Sequence, residues 1–323
     1  MRLVFCLLLC LSSPVLSNNK PSDDAVILAF VGDTMLGSNY KDIPPQNPEN
    51  ILKTPASVLQ SADIAFGNLE GAITLAEKSS KEGCEKCYAF RQSPSVAKLL
   101  SRLGFDVMSV ANNHARDFGD KGFVDTVAHL REAGILASGV PGDNFVSVAK
   151  KGTRFSFLSF SPNKGLPDPR NHKNIEKAVS AAKQKSDFVI VSFHMGAEGQ
   201  NKTRIPLGPE HHLGENRGNV RQAAETAIDS GADLVIAHGP HVPRPLVQYK
   251  GKWIAYSLGN FATFGSFALS GNLGASSVLL LTVRKNQVEK IDIISLRQKK
   301  NEGRYRVDLD PARAAEKIMR QKD

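Results

Sequence analysis

Residues 25–33 read Ala-Val-Ile-Leu-Ala-Phe-Val-Gly-Asp, a continuous apolar run that ends in a glycine and a carboxylate. An apolar run of this length is typical of a β-strand that is buried on both faces. In open α/β sheets, ligands collect at the carboxyl ends of the strands. The stretch therefore predicts a buried strand that carries Asp33 at the edge of a sheet where a functional site can form.

Five further patches place a metal-binding or catalytic residue type after an apolar run. They are Gly-Asn-Leu-Glu at Glu70, Ala-Asn-Asn-His at His114, Ser-Phe-His-Met-Gly-Ala-Glu at His194, Ala-His-Gly-Pro-His at His238 and His241, and Ser-Leu-Gly-Asn-Phe at Asn260. Any one patch has an ordinary explanation, such as a helix cap for an aspartate or a left-handed turn for an asparagine. Six patches that together hold Asp, Glu, Asn and His residues predict one assembled site.

Apolar runs of strand length alternate with segments of helical periodicity through most of the chain. Strands are predicted at 25–31, 62–66, 107–111, 135–138, 154–160, 187–193, 234–237, 253–258, 277–284 and 288–296, and helices at 95–102, 122–133, 175–185, 220–230 and 311–321. This alternation indicates a mixed α/β sheet. We interpret residues 25–297 as one domain, residues 200–219 as an active-site flap, and the basic residues 298–323 as a C-terminal tail.

The first 17 residues have the pattern of a secretory signal peptide. Arg2 is followed by an apolar run over residues 3–11, and permitted residues precede a cleavage point before Asn18. We predict cleavage there and an exported protein, periplasmic or extracellular; an uncleaved anchor is the alternative. Residues 18–24 are polar, and we expect them to be disordered.

Cleavage would leave two of the four cysteines, Cys84 and Cys87. Because an exported protein meets an oxidising compartment, we predict that they form a disulfide. Half of a zinc site is an alternative, but the chain has no second cysteine pair to complete four ligands. A thioredoxin-like redox role is disfavoured because the pair lies in a polar loop and not between a strand and a helix.

The chain carries a formal net charge of +9, of which Arg2 contributes one unit, so the mature protein would carry +8. A basic exported protein tends to associate with anionic polymers or membrane surfaces. The charge by itself favours nucleic acid, teichoic or lipid phosphates, polyglutamate or an anionic membrane surface. Of these we expect an anionic envelope polymer, with polyglutamate or phosphate groups, as partner, together with peripheral membrane contact and no nucleic acid. Simple solubility is the alternative reason for the charge. The oligomeric state does not follow from the sequence.

Carboxylate, amide and imidazole donors occur together in the six patches. The candidate metal ligands are Asp33, Glu70, Asn113, His194, His238 and His241. Such a mixed oxygen and nitrogen set suits Mn, Fe or Zn better than Ca or Mg. His114 stands next to Asn113, and a histidine that points inward without ligating can protonate a leaving group. Taken singly, His194 would more often be a core histidine than a ligand.

The same patches resemble the capsule synthesis protein CapA family, which belongs with the calcineurin-like metallophosphoesterases. The resemblance rests on the order and spacing of Val-Gly-Asp-Thr-Met-Leu-Gly at 31–37, Phe-Gly-Asn-Leu-Glu at 66–70, Val-Ala-Asn-Asn-His at 110–114, Phe-His-Met-Gly-Ala-Glu at 193–198, the stretch 231–242 and Tyr-Ser-Leu-Gly-Asn-Phe at 256–261. It covers about residues 26–263.

The resemblance implies an α/β fold with two mixed β-sheets sandwiched between helices, in four layers α/β/β/α. It also implies a centre of one or two divalent transition-metal ions at the strand ends, with His114 as general acid. This chain departs from the superfamily pattern at Met35, where a histidine is usual, and at Asn68, where an aspartate is usual. Its closing motif is His-Gly-Pro-His at residues 238–241.

Two functions are consistent with these residues. One is a metal-dependent hydrolase, phosphoesterase-like, in capsule or polyglutamate biosynthesis; the other is a non-catalytic binding or export factor for an anionic capsule polymer. We expect Asn68, Arg91, Glu198 and Asn260 to contact substrate or support the ligands. The most specific prediction joins residues 208 positions apart: Asp33 and His241 should approach within about 4 Å, because ligands of one ion lie about 2.0–2.2 Å from it.

Overall fold

The computed structural model describes residues 24–37, 51–84, 87–143, 145–265, 268–301 and 304–322. The predicted signal peptide, and residues 18–23 of the segment expected to be disordered, lie outside the described residues and stay predictions. None of the helices among the described residues combines the length and apolarity that a membrane span requires.

The described residues form eighteen strands and six α-helices. The strands are β1 (Val26–Met35), β2 (Ile64–Leu69), β3 (Ala72–Ile73), β4 (Arg91–Gln92), β5 (Val107–Ser109), β6 (Leu136–Ser138), β7 (Val146–Lys150), β8 (Thr153–Phe160), β9 (Phe188–His194), β10 (Glu210–His212), β11 (Glu215–Gly218), β12 (Leu234–His238), β13 (Leu246–Tyr249), β14 (Lys252–Ala255), β15 (Asn260–Thr263), β16 (Ala275–Arg284), β17 (Gln287–Asn301) and β18 (Arg304–Leu309). The helices are α1 (Lys53–Leu59), α2 (Ser95–Leu103), α3 (Gly119–Glu132), α4 (His172–Lys183), α5 (Val220–Asp229) and α6 (Ala314–Met319).

Two large sheets contain most of the strands, and both are mixed. The first has the order β18-β17-β16-β1-β2-β5-β6, with β15 paired to the end of β1. The second has the order β13-β14-β12-β9-β8-β7. In the first sheet the pairs from β18 to β1 are antiparallel and those from β1 to β6 are parallel. In the second sheet the parallel pairs lie in the middle and an antiparallel pair lies at each edge. The strands predicted at 277–284 and 288–296 form the antiparallel β16–β17 hairpin, which turns at Lys285-Asn286.

Three separate apolar cores show that the molecule has four layers. One core lies between the two sheets, where the Phe66 and Phe157 rings stack with centroids 5.6 Å apart. A second core packs α2 and α3 against the outer face of the first sheet, and a third packs α4 and α5 against the outer face of the second. The predicted α/β/β/α arrangement is therefore confirmed.

Alternate residues of β1 enter different cores, which explains its uninterrupted apolar run. Leu28 and Phe30 point into the core between the sheets, whereas Ala29 and Val31 point into the core beneath the helices. Side chains of a strand alternate between its two faces, so a strand in the middle layer needs apolar residues at every position. Burial of each large apolar side chain contributes about 1.5–3 kcal/mol.

Gly32 allows β15 to approach the end of β1. A Cβ atom at this position would lie 1.9 Å from the carbonyl oxygen of Gly259, and the Asp33 amide donates to that same oxygen at 2.9 Å. β15 then pairs in parallel with β1, with Asp33 opposite Asn260. The glycine before Asp33 thus permits the backbone contact that brings Asn260 beside it.

Residues 298–323 differ from the basic tail expected from their composition. β17 continues to Asn301, β18 pairs with it antiparallel, and Val307 of β18 is buried. In α6, Ala315 and Met319 are buried, and Met319 joins the core between the sheets. The charged residues of this segment alternate with a few apolar ones, so its average composition concealed the edge strand β18. The helix predicted at 311–321 is present as the shorter α6.

Asp63 joins the two sheets at the amino ends of their strands. Its carboxylate accepts a hydrogen bond from the Ile27 amide at 2.9 Å and one from Lys151 Nζ at 2.7 Å. Lys151 lies in the turn between β7 and β8 of the second sheet and also donates to the Ala25 carbonyl. The contact therefore ties the start of β1 to the opposite sheet.

We expect Asp63→Asn to lower the free energy of unfolding by about 1 kcal/mol at neutral pH. Burial tends to raise the pKa of Asp63, but the hydrogen bonds from Lys151 and Ile27 outweigh it and the pKa is lowered. The contribution is therefore complete above the unfolded-state pKa of about 3.9 and is lost as pH falls through the folded-state value. Urea denaturation at pH 7, 4 and 3 should show the wild-type advantage shrinking with acidity. A difference that stays constant with pH would contradict this account.

Cys84 and Cys87 are joined in a disulfide, as the sequence predicts. The bridge closes a ring of only four residues, so it removes little conformational entropy from the unfolded chain. Its role is therefore local to the segment that includes Lys81 and Tyr88, and not global.

Candidate metal centre

Asp33, Glu70 and His241 form the heart of a cluster at the carboxyl ends of the strands. One ligand atom from each lies within 4.8 Å of the other two. His241 Nδ1 is 3.0 Å from Asp33 Oδ2, and His241 Nε2 is 3.7 Å from Glu70 Oε1. The predicted approach of Asp33 and His241 is therefore confirmed.

The two sheets contribute different members of this cluster. In the first sheet, Asp33 lies near the carboxyl end of β1 and Glu70 directly follows β2. In the second sheet, His194 is the last residue of β9. His194 Nδ1 lies 3.8 Å from Asp33 Oδ1, and its Nε2 lies 3.8 Å from Glu70 Oε1. Parallel strands from both sheets thus deliver their side chains to one point.

Several buried polar atoms around this point have no hydrogen-bond partner among the described residues. They are both carboxylate oxygens of Glu70 and His194 Nε2. Asn113 Oδ1, one residue before His114 in the chain, is also buried without a partner. A buried polar atom without a partner costs about 1–3 kcal/mol, so such atoms are rare unless a ligand satisfies them. Oxygen and imidazole donors that converge in this way fit a divalent cation such as Mn, Fe or Zn.

The pKa values in the cluster are displaced in opposite directions. Burial would raise the pKa of Asp33, but the hydrogen bond and charge of His241 hold it well below its ordinary value. Burial raises the pKa of Glu70 well above its usual range. Burial would lower the pKa of His241, but the charge of Glu70 and the contact with Asp33 raise it well above normal. A cation would compete with protons for Glu70 and His241.

His238 was predicted as a ligand, but the structure does not direct its ring to the cluster. Nε2 lies 3.1 Å from the Val31 carbonyl and Nδ1 lies 3.3 Å from Ser192 Oγ. The ring also packs beside Phe66, with centroids 6.3 Å apart. After His238, Gly239 adopts φ +115° and His241 φ +60°, so the turn brings the second histidine of the motif into the site and leaves the first inside the core.

His114 borders the cluster and belongs to a hydrogen-bonded group that the sequence analysis did not find. Its Nε2 lies 3.8 Å from Glu70 Oε1, and its Nδ1 lies 2.7 Å from Asp117 Oδ2. Lys81 Nζ lies 2.5 Å from Asp117 Oδ1. The Phe90 ring packs on the His114 ring, with the two centroids 4.2 Å apart. Burial lowers the pKa of His114. The spacing of His114 and Asp117 by three residues was the available signal for this pair.

Three of the predicted supporting residues contact the cluster. Asn68 Nδ2 donates to Asp33 Oδ1 at 2.8 Å and lies 3.1 Å from His194 Nδ1. Asn260 Oδ1 is 3.0 Å from His241 Nδ1, and Glu198 Oε2 is 3.6 Å from His241 Nε2. Arg91 instead donates to the Ala76 carbonyl and lies 5.7 Å from the Phe118 ring.

The predicted flap over residues 200–219 contains the short hairpin β10–β11, which brings two unpredicted residues beside Glu198. Arg217 Nη2 lies 3.1 Å from Glu198 Oε1, and His212 Nε2 lies 3.3 Å from Glu198 Oε2. The sequence pattern singles out neither His212 nor Arg217. Nothing in the local pattern distinguishes Arg217 from the other basic residues of the loop.

Comparison with known proteins places this site within a described family. Residues 27–264 match the family model described as bacterial capsule synthesis protein PGA_cap. The chain is 30% identical over 257 residues to the PGA biosynthesis protein CapA of Bacillus subtilis (strain 168), covering 74% of this chain and 64% of that protein. It is also 30% identical over 226 residues to the probable polyglutamine synthesis accessory protein Rv0574c of Mycobacterium tuberculosis (strain ATCC 25618 / H37Rv), covering 62% of this chain and 55% of that protein.

A solved structure supports the fold alone. A hypothetical protein from Thermus thermophilus has a TM-score of 0.54 with 15% sequence identity, and the match covers 84% of this chain and 99% of that one. The chain spans less than two thirds of the length of either sequence relative. The family match itself covers most of the chain, from β1 to the residue after β15, and includes every member of the cluster. The chain therefore belongs to the bacterial capsule synthesis protein family PGA_cap.

Proposed function

We propose that this protein is a metal-dependent hydrolase that acts on phosphate-ester or amide-like bonds of an anionic polymer of the cell envelope. The observation that supports the proposal is the convergence of unpaired buried donors from both sheets, next to the His114–Asp117 pair. The family's association with capsule synthesis supports an envelope polymer as the substrate. Export of the chain through the predicted signal peptide is part of the same proposal.

One or two divalent ions would be held by Asp33, Glu70 and His241, with His194 and Asn113 as further donors. Such an ion would supply Lewis-acid polarisation of a phosphoryl or carbonyl oxygen and activation of water. Asn68 orients two of these donors, because its amide nitrogen lies within 3.1 Å of both Asp33 Oδ1 and His194 Nδ1. Groups that orient ligands in this way commonly tune both affinity and activity.

His114 would deliver the proton to the leaving group from Nε2. This role requires the imidazolium form: Asp117 would accept from Nδ1–H and stabilise the positive charge, while the second proton stands on Nε2, on the Glu70 side of the site. The Phe90 ring covers the imidazole and limits access of water to it. A histidine that is oriented by a carboxylate and borders the reacting centre has the geometry of a general acid.

We expect protein purified without chelator to contain one or two equivalents of Mn, Fe or Zn by element analysis. Adding the ion at about 100 times its dissociation constant should raise the free energy of unfolding by about 2.7 kcal/mol. Asp33→Asn and His241→Gln should lose both the bound ion and this gain, whereas Glu132→Gln on the exposed side of α3 should keep them. Wild-type protein that neither contains nor gains an ion would remove the hydrolase proposal.

A second function is supported by the charge of the chain, which has 41 Lys and Arg residues against 32 Asp and Glu. In this case the protein is a non-catalytic factor that binds or exports an anionic capsule polymer and contacts the membrane surface peripherally. The word "accessory" in the name of the mycobacterial relative is consistent with such a role. Co-sedimentation with poly-γ-glutamate should then weaken as salt is raised. Binding that ignores salt would count against an electrostatic contact.

A further inference from the structure

Arg217 carries a buried positive charge directly beside the metal centre. It lies near the end of β11, and its side chain is 5% exposed. Through Nη2 it contacts Glu198 Oε1 at 3.1 Å, and the other oxygen of Glu198 lies 3.6 Å from His241 Nε2. A single carboxylate therefore separates the guanidinium from a member of the cluster.

The guanidinium is not fully paired. Nη1 is buried and has no hydrogen-bond partner among the described residues. Nε lies 2.9 Å from Glu215 Oε2, but its N–H is not aligned with that oxygen, and the Glu215 side chain is 55% exposed. An arginine presents five N–H donors in a fixed fork, and a buried donor without a partner is costly. Arg217 therefore has a buried N–H donor, on Nη1, that no described residue accepts.

Three basic side chains share the Glu198 carboxylate. Arg217, His212 and His241 each have a nitrogen within 3.6 Å of its carboxylate. Burial would raise the pKa of Glu198, but these neighbours together lower it. The charge of Arg217 also acts on Glu70 and His194: it tends to lower both pKa values, opposing burial at Glu70 and adding to burial at His194. Glu198 is therefore engaged by Nη2 of Arg217 and by two imidazoles, and it leaves Nη1 of Arg217 without a partner among the described residues.

The hairpin holds Arg217 firmly. Arg244, which is fully buried, makes two 2.9 Å hydrogen bonds to Glu210 at the start of β10. The Arg217 carbonyl accepts from the Gly196 amide at 3.3 Å. Gly218 has φ +78°, and a Cβ atom there would lie 2.4 Å from Met195 Cε, so the hairpin is closely packed on the loop after β9. Because the hairpin is held in this way, the Arg217 guanidinium is preorganised for binding before a ligand is present.

We propose that Arg217 is a specificity-determining residue whose Nη1–H donates to an oxyanion of the substrate, a carboxylate or phosphate oxygen, next to the metal centre. The identification of the ligand as substrate rests on the proposed function, but the binding of an oxyanion does not require hydrolysis. Guanidinium groups favour carboxylate and phosphate over neutral oxygen because such hydrogen bonds are charge-assisted. A phosphate ester and a polymer carboxylate share this chemistry, and the test separates them.

Calorimetric titration with inorganic phosphate and with glutarate tests the proposal, in both metal-free and metal-supplemented protein. Arg217→Met should weaken binding of at least one anion by about tenfold or more, because a hydrogen bond to a charged group is lost. Preference for phosphate would indicate an ester substrate, and preference for glutarate a carboxylate polymer. Arg170→Met is the matched control, because Arg170 contacts the same hairpin through the Asn216 carbonyl but is paired with Asp168. It should bind both anions within about twofold of wild type.

Arg217→Lys guards against a purely structural effect. Lysine can keep the ion pair with Glu198 but cannot serve Glu198 and a ligand at once, so this variant should melt cooperatively and still bind the anion more weakly. Wild-type affinity in Arg217→Lys, or in a folded Arg217→Met protein, would overturn the proposal, as would absence of anion binding by the wild type. Element analysis of the same samples reports separately on the metal centre, so its failure and the failure of Arg217 are distinguishable.

Discussion

His114→Ala is expected to lower turnover of a generic phosphodiester by about 10²- to 10⁴-fold, the usual contribution of a positioned acid or base. The reason is the arrangement of the ring, with Nδ1 held by Asp117 and Nε2 3.8 Å from Glu70 Oε1. Because His114 stands outside the cluster of Asp33, Glu70 and His241, the metal content of the variant should equal that of wild type. Initial rates and element analysis on the same preparations provide both measurements.

His129→Ala is the matched control for this experiment. His129 lies near the end of α3, beside the exposed Glu132, and its loss should leave turnover within about twofold. Equal residual activity in His114→Ala and wild type would remove His114 from the mechanism. A fall in activity that follows a fall in bound metal would instead make His114 a ligand.

Arg244→Met is expected to lower the free energy of unfolding by about 3–5 kcal/mol, the largest stability change we predict. The Arg244 side chain is fully buried: its guanidinium pairs with both oxygens of Glu210, and its Nε donates to the Lys202 carbonyl at 2.7 Å. Removing the arginine leaves the Glu210 carboxylate, whose side chain is 10% exposed, without its partner. Urea denaturation should show a lower midpoint with an unchanged slope.

Two further variants separate the cost of the broken pair from the value of the pair itself. Lys250→Met removes one partner of an exposed ion pair with Asp229 and should cost less than about 1 kcal/mol. Adding Glu210→Leu to Arg244→Met removes the unpaired carboxylate and should recover part of the stability, because replacing both members of a buried pair is often nearly neutral. A loss below about 1 kcal/mol in Arg244→Met would show that water reaches the Glu210 carboxylate.

The parts of the fold that follow from sequence are those with strong local signals. The run before Asp33 predicts β1, because a strand in the middle layer must be apolar on both faces. Strand-end placement predicts that Asp33 and His241 approach each other, but Asp33 lies near the end of β1 and His241 follows β12, and these strands belong to different sheets and not to one sheet. The four-layer arrangement was implied by the resemblance, and the three cores confirm it.

Other features depend on side-chain direction and tertiary contact, which no local pattern contains. The sequence does not distinguish the roles of His238 and His241, which are both histidines of one short motif. The backbone turn at Gly239 decides which of the two rings enters the site. β18 has too few apolar residues to predict a strand by itself, and it is stabilised by pairing with β17. Arg217 approaches the centre because the β10–β11 hairpin folds onto the loop after β9, a contact that the loop's polar composition does not reveal.

The division of the cluster between the two sheets couples metal affinity to the internal alignment of the molecule. Asp33 and Glu70 move with one sheet and His194 with the other, so the distance between donors depends on the core around Phe66 and Phe157. Coupling between binding and conformation is reciprocal. A substitution deep in that core would therefore change the affinity for an ion that it never touches, and a bound ion would in return resist sliding of one sheet over the other. Measuring the dissociation constant of the metal in such core variants would therefore report changes in the alignment of the two sheets.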